Sequence, residues 1–138
     1  MIRFTIPGAP NAQRRHRIVK VSKFARLHQD ARDGQWKGSA QVHMLAAMGD
    51  REPLTGLVSL TIRAYWALPV TKERKREPRA AERFAAVKDA DNVAKSLMDA
   101  GNGILYVDDR QVVVLVVEKW RAAQGEPARV EVEIEEVR

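Results

Sequence analysis

The first residues alternate Ile2, Phe4 and Ile6 against Arg3 and Thr5 until Pro7, Gly8 and Pro10 interrupt them. Period two is the signature of a strand with one face buried, so a short first strand ending in a loop is expected. The basic segment from Asn11 to Lys23 continues that loop. From Phe24 to Met48 the apolar residues Phe24, Leu27, Ala31, Val42, Leu45 and Met48 fall among helix formers. One helix is expected there, and Gly34 is where it would break, because an interior glycine costs about 1 kcal/mol. Pro53 and Gly56 close the connection, and Leu57 to Leu68 then gives the clearest strand, with Val58, Leu60, Ile62, Ala64 and Trp66 on one face.

Residues 69–88 hold two prolines and many charges, which predicts a long loop that contacts a ligand or acts as a lid. Asp91 to Ala100 carries Val93, Ala94, Leu97 and Met98 at helical spacing, and Gly101 and Gly103 follow as stop signals. Gln111 to Trp120 contains an unbroken run from Val112 to Val117, expected as a strand buried on both faces. Val130, Val132 and Ile134 alternate with Glu131, Glu133 and Glu135 as a half-exposed strand, with Gly125 and Pro127 marking the turn of a terminal hairpin. The order β-α-β-α-β-β predicts an α+β (α/β layer) fold, a mixed sheet of about four strands with two main helices. At 138 residues, 1–138 is expected to be a single domain.

Charge changes this picture by its distribution. The net charge is +6, but seven Lys/Arg lie in residues 1–30 and seven more in residues 71–88, while the last thirteen residues carry five glutamates. Two basic patches point to a polyanionic partner, and their bland alternative is a solvated surface. There is no cysteine, which excludes disulfides and thiolate metal sites. The start of the chain lacks a long apolar core with a cleavage signal, and no run approaches the ~20 apolar residues of a membrane span. A cytoplasmic protein is expected.

The segment Lys88 to Asp109 holds five aspartates: Asp89, Asp91, Asp99, Asp108 and Asp109. Asp91, Lys95 and Asp99 are spaced by four and share a helix face, and Asp89 precedes that helix. Asp108 and Asp109 return after a glycine-containing loop, and the five carboxylates are expected to converge. A gathered set of anions calls for a hard cation such as Mg²⁺, which in a nucleic-acid-binding protein serves phosphodiester hydrolysis. Each acid also has a structural reading. Asp89 or Asp91 can cap the helix, Asp99 can pair with Lys95, and Asp108 and Asp109 can serve a turn.

The residues Asp89-Ala90-Asp91-Asn92, then Lys95, Asp99, the Asn102-Gly103 turn and Asp108-Asp109-Arg110-Gln111 resemble the RusA family of Holliday junction resolvases, found in bacterial and prophage genomes. The resemblance extends to FTIPGAPNAQRRHR near the N-terminus and to Val113 through Lys119. It implies a homodimeric endodeoxyribonuclease of DNA recombination and repair. Such an enzyme makes paired symmetric nicks in a four-way junction with Mg²⁺, or Mn²⁺ as a substitute. It assigns metal binding to Asp89, Asp91 and Asp109, with Asp108 as a further candidate, and catalysis to the same three acids and Lys95. Asn92 and Asp99 are supporting. Arg14, Arg15, Arg17, Lys20, Lys72, Arg74, Lys75, Arg76 and Lys88 are the candidate DNA contacts. Two features depart from the family pattern: Val87-Lys88 stands where many relatives have Lys-Pro, and the 71–88 stretch is long.

Phe84 has two readings, a wedge at a branch point or an aromatic packing its own loop. His16, His28 and His43 share no spacing, which argues against zinc. Trp36, Trp66 and Trp120 are expected in the core or a dimer interface. Two other functional classes stay open: a catalytically silent nucleic-acid-binding module, and a nuclease acting on other branched DNA or on RNA.

Overall fold

The computed structural model describes residues 1–13, 17–21, 24–28, 31–85 and 88–138, with 17–21 and 24–28 described by their backbone. A five-stranded mixed sheet carries the core. Its strands are β1 (Ile2–Pro7), β4 (Val58–Trp66), β5 (Glu82–Arg83), β6 (Val112–Arg121) and β7 (Arg129–Glu136), in the spatial order β1-β7-β4-β6-β5. A separate antiparallel pair joins β2 (Arg17–Val21) to β3 (Phe24–His28). The helices are α1 (Ala31–Met48) and α2 (Ala90–Gly101). The expected α+β class holds, with one more strand in the main sheet than the four anticipated.

The alternation in β4 works as its pattern requires: Val58, Leu60, Ile62 and Ala64 are fully buried. The register sets Leu60 beside Ile134, and Ile62 beside Val132, on β7. Ala40, Met44 and Met48 of α1 and Val93, Ala94, Leu97 and Ala100 of α2 complete one core against that face. Burial of each large aliphatic side chain stabilises the fold by about 1.5–3 kcal/mol.

Five expectations are corrected. Residues 24–28 form strand β3, so the helix is shorter than its apolar spacing predicts, and residues 17–21 of the anticipated loop are strand. α1 does not break at Gly34, where a Cβ would meet nothing within 4 Å, because the buried Ala40, Met44 and Met48 hold the helix by packing. The last two strands are not a hairpin. β7 pairs with β4 and β1, so β4 separates it from β6, and the Ala122–Ala128 link steps across the end of one strand. Nor is β6 buried on both faces, since Val113 to Val116 are exposed. A valine run shows that a strand is apolar, not which chain covers it.

The open face of the sheet is closed to a polyanion by its own chemistry. Glu118 and Glu133 lie in β6 and β7 and receive Arg63 at 2.9 and 3.2 Å. Trp120 stacks on Tyr65 between the guanidinium groups of Arg83 and Arg129, which lie 4.5 and 4.0 Å from the ring centroids. The cations here are already engaged, and Glu131, Glu133 and Glu135 keep the strand acidic.

Candidate active site

α2 starts where its sequence says it should. Asp89 occupies the N-cap position with extended backbone, but its side chain makes no capping hydrogen bond. Asp89, Asp91 and Lys95 are exposed, while Val93, Ala94 and Leu97 point into the core. Asp91 and Lys95 therefore share the solvent face, as the spacing of four requires. Asp99 lies further along that face and is taken by Lys37 of α1, Nζ to Oδ2 at 3.1 Å, in place of the expected Lys95. At 1.5 Å per residue, Asp99 sits roughly 15 Å along the helix from Asp89, too far to share an ion with it.

Beyond α2 the chain turns a tight corner. Tyr106 is fully buried, and its hydroxyl donates to the carbonyl of Met98 at 2.8 Å. A Cβ on Gly101 would come within 2.9 Å of that hydroxyl, so only glycine lets the corner close. Burial pushes the Tyr106 phenol far above its ordinary value, and the charges of Asp109 and Asp99 push it further. It stays a neutral donor, wedged between the end of α2 and the turn carrying Asp109.

That turn is a short 3-10 helix, Asp109–Gln111, closed by a capping box. Asp108 accepts from the Arg110 N–H at 3.0 Å, and the Gln111 side-chain carbonyl accepts from the Asp108 N–H at 2.8 Å. The Gln111 amide nitrogen also donates to the carbonyls of Leu54 and Gly56, at 2.8 and 2.9 Å. Asp108 is thus a turn residue, as its structural reading holds. The Asp109 side chain is left with no hydrogen bond or ion pair among the described residues, as are those of Asp89 and Asp91.

The five carboxylates do not converge. Among the described residues, no three Asp, Glu or His side chains are gathered to hold one ion. Two of the five are diverted, Asp99 by a tertiary contact with a lysine on α1 and Asp108 by the local capping box. The three that remain are hard oxygen donors, exposed at Asp89 and Asp91 and half-buried at Asp109. Mg²⁺ is ordinarily held by one or two carboxylates with water and substrate phosphate filling the rest, so this donor set fits it.

A second polar network anchors the helix from beneath. Asn11 Nδ2 donates to Asp33 Oδ1 at 3.2 Å and to Ser96 Oγ at 2.9 Å, all three side chains being buried. The Gln13 N–H donates to the Asn92 carbonyl at 3.0 Å, which fixes the root of the N-terminal basic segment to the first turns of α2. Neither Asn11 nor Ser96 stands out in the sequence, since their partners lie 22 and 85 residues away.

Of the candidate DNA contacts, Arg14 and Arg15 and the side chains of Arg17 and Lys20 lie outside the described residues. Lys72, Arg74, Lys75, Arg76 and Lys88 are exposed. The loop that carries them is held in shape by Gln124, whose side chain accepts from the Arg74 N–H at 2.9 Å and donates to the Arg74 carbonyl at 2.8 Å. Phe84 packs from its loop onto the sheet, its ring at an angle to that of Trp66 in β4 and 3.9 Å from the guanidinium carbon of Arg121 in β6.

With this geometry in hand, the sequence pattern described as endodeoxyribonuclease RusA matches residues 7–135. The chain is also 34% identical to the uncharacterized protein YqaN of Bacillus subtilis (strain 168), over 99% of this chain and 96% of that one. The chain belongs to the RusA endodeoxyribonuclease family, whose activity is the endonucleolytic cutting of Holliday junctions. No helix among the described residues is long and apolar enough to cross a membrane.

Proposed function

We propose that this chain is a Mg²⁺-dependent endodeoxyribonuclease of one domain that resolves four-way junctions by paired symmetric nicks. On this reading it works in the cytoplasm as a homodimer, in recombination and repair. One observation carries the reading. Of the five aspartates in the motif, two are consumed by structural contacts, and the three left free are those to which the family resemblance gives the metal.

In this account the cation would be held by one or two carboxylates of the set Asp89, Asp91 and Asp109, with water and phosphate oxygen completing its shell and Asp108 close by in the turn. A bound Mg²⁺ supplies Lewis-acid stabilisation of the phosphate and lowers the pKa of an attacking water. The protein's own groups do the rest. Lys95, one turn beyond Asp91 on the same face, pairs with phosphate charge as it builds. The N-terminal end of α2 favours an anion there through its unpaired N–H groups. Asn92, anchored through its carbonyl, keeps the first turn in register with the N-terminal segment. Lys88 and the Gln124-held loop contact the flanking backbone.

A second reading, a silent junction-binding module, is favoured by the absence of three gathered acids among the described residues. Incubation of the protein with a labelled four-way junction and the matching linear duplex separates the two. Cutting of the junction with Mg²⁺ and none with EDTA supports the nuclease, whereas binding without cutting supports the module.

A further inference from the structure

We infer that Lys119 of β6 positions Asp89 for its cation, acting through the carbonyl of Lys88. This role rests on the metal reading above and adds one residue to it. Lys119 Nζ donates to the Lys88 carbonyl at 3.0 Å. That carbonyl shares a rigid peptide plane with the nitrogen of Asp89, so the ammonium grips the backbone immediately before the carboxylate.

A lysine needs a reason to stand where Lys119 stands. The parallel register sets Val117 beside Ile62 and Lys119 beside Ala64, and both partners are fully buried in the core. Leu115, Val117 and Lys119 therefore share the side of β6 that faces the helices. An apolar residue is the default there, and ordering a lysine costs more side-chain freedom than ordering a leucine or isoleucine. The half-buried residue carries its ammonium out to the start of α2 on a long apolar stem.

The bond lies between two anchored stretches. Upstream, β5 pairs with β6 through Arg83 and Trp120, and Arg83 reaches Glu118 at 3.0 Å. The Phe84 N–H donates to the carbonyl of Lys119 itself at 3.1 Å. Downstream, the Val93 N–H donates to the Asp89 carbonyl at 3.2 Å as α2 begins. Lys119 thus holds the approach to the helix twice, by its backbone at Phe84 and by its side chain at Lys88. The Asp89 side chain makes no capping hydrogen bond, so its direction follows the backbone that carries it. Partners that orient a ligand in this way commonly govern metal affinity by about ten- to a hundredfold.

The test separates metal binding from stability and from DNA contact. In the full chain, Mn²⁺ should broaden the amide signals of Asp89 and Asp91 in an NMR titration, and Lys119→Met should need about tenfold more Mn²⁺ for the same broadening. The Mg²⁺ needed for half-maximal junction cutting should rise by a like factor, with the rate at saturating Mg²⁺ little changed. Lys119→Arg should restore most of both, since it keeps N–H donors at the end of a long side chain. Arg63→Met, which breaks ion pairs on the opposite face of the sheet, should leave the Mn²⁺ requirement at the wild-type value. Should Lys119→Met fail to fold, Lys119→Gln, polar but one bond shorter, should show the same shift. Equal broadening of the wild type and these two variants overturns the inference. So does an equal shift in Arg63→Met, which would make the effect one of general stability. A salt slope of junction binding in EDTA that falls by about 0.9, with the Mn²⁺ requirement unmoved, would make Lys119 a phosphate contact and overturn it too. A wild type that cuts junctions and a Lys119→Met that matches it sink this role alone. A shifted Mn²⁺ requirement beside a wild type that cuts nothing sinks the nuclease reading alone.

Discussion

Gln111 holds Asp108 by its backbone: the side-chain carbonyl of Gln111 accepts the Asp108 N–H at 2.8 Å, while its amide nitrogen donates to the carbonyls of Leu54 and Gly56. One side chain thereby ties the turn bearing Asp109 to the segment that enters β4. Gln111→Ala should lower stability by about 1–3 kcal/mol, because part-buried groups are deprived of their partners. Gln111→Glu should be at least as harmful, since it sets a carboxylate against two carbonyls. Urea unfolding reads the change. Junction cutting should need more Mg²⁺ in both variants, because Asp109 is less well fixed.

Tyr106 gives the fold an alkaline limit. Its folded-state pKa is raised, chiefly by burial, above the ordinary 10.0, so folding favours the neutral phenol. That contribution is fully present below pH 10 and is lost as the pH rises above it, because the unfolded chain ionises first. The urea midpoint of the wild type should begin to fall near pH 10 and go on falling as the pH rises further. Tyr106→Phe should fall less steeply over the same range. It should also be less stable at neutral pH, since it lacks the bond to Met98.

The exposed cations of the Gln124-held loop should act through phosphate charge. Neutralising Lys72, Arg74, Lys75 and Arg76 together should weaken junction binding and flatten its salt dependence, by about 0.9 in the log–log slope for each phosphate that no longer has a cation beside it. Replacing Glu131 by Gln on the acidic open face should leave that slope unchanged. Fluorescence anisotropy across a salt series measures both.

Gly34→Ala should stabilise the protein by about 0.5–1 kcal/mol, since the residue is helical, exposed and has space for a Cβ. Chemical denaturation checks it, and a decrease in stability would contradict the continuous helix.

Much of this fold was legible because the signal was periodic. β4 and β7 alternate cleanly, and α2 has its apolar residues at helical spacing with glycines after it. The errors arose where sequence pattern is blind to neighbours. Val130 to Ile134 reads the same whether β7 pairs with β6 or with β4, and the valine run of β6 reads the same whether covered or bare. Phe24 and Leu27 fit a helical period as well as a strand, and β3 took them.

The site was legible as a list and not as an arrangement. The motif residues Asp89, Asp91, Lys95 and Asp109 are plain in the sequence, and their local spacing placed Asp91 and Lys95 on one face. Which acids are spoken for depends on Lys37, more than sixty residues away, and on the capping box that takes Asp108. Gln111 stood within the motif, but its role needed the carbonyls of Leu54 and Gly56. Asn11, Ser96 and Gln124 gave no sequence signal.

The central claim is that the free acids, and not all five, do the chemistry. The most direct test is cutting of a labelled four-way junction in Mg²⁺ by Asp91→Asn beside Asp99→Asn, with junction binding measured for both. Asp91→Asn should fall at least about a hundredfold in rate, roughly 2.7 kcal/mol of transition-state stabilisation, while binding the junction as tightly as the wild type or more tightly. Asp99→Asn should keep most of its activity and give up no more than about 1 kcal/mol of stability, as a part-exposed ion pair does. An equal fall in both variants, or cutting that survives Asp91→Asn, would contradict the account.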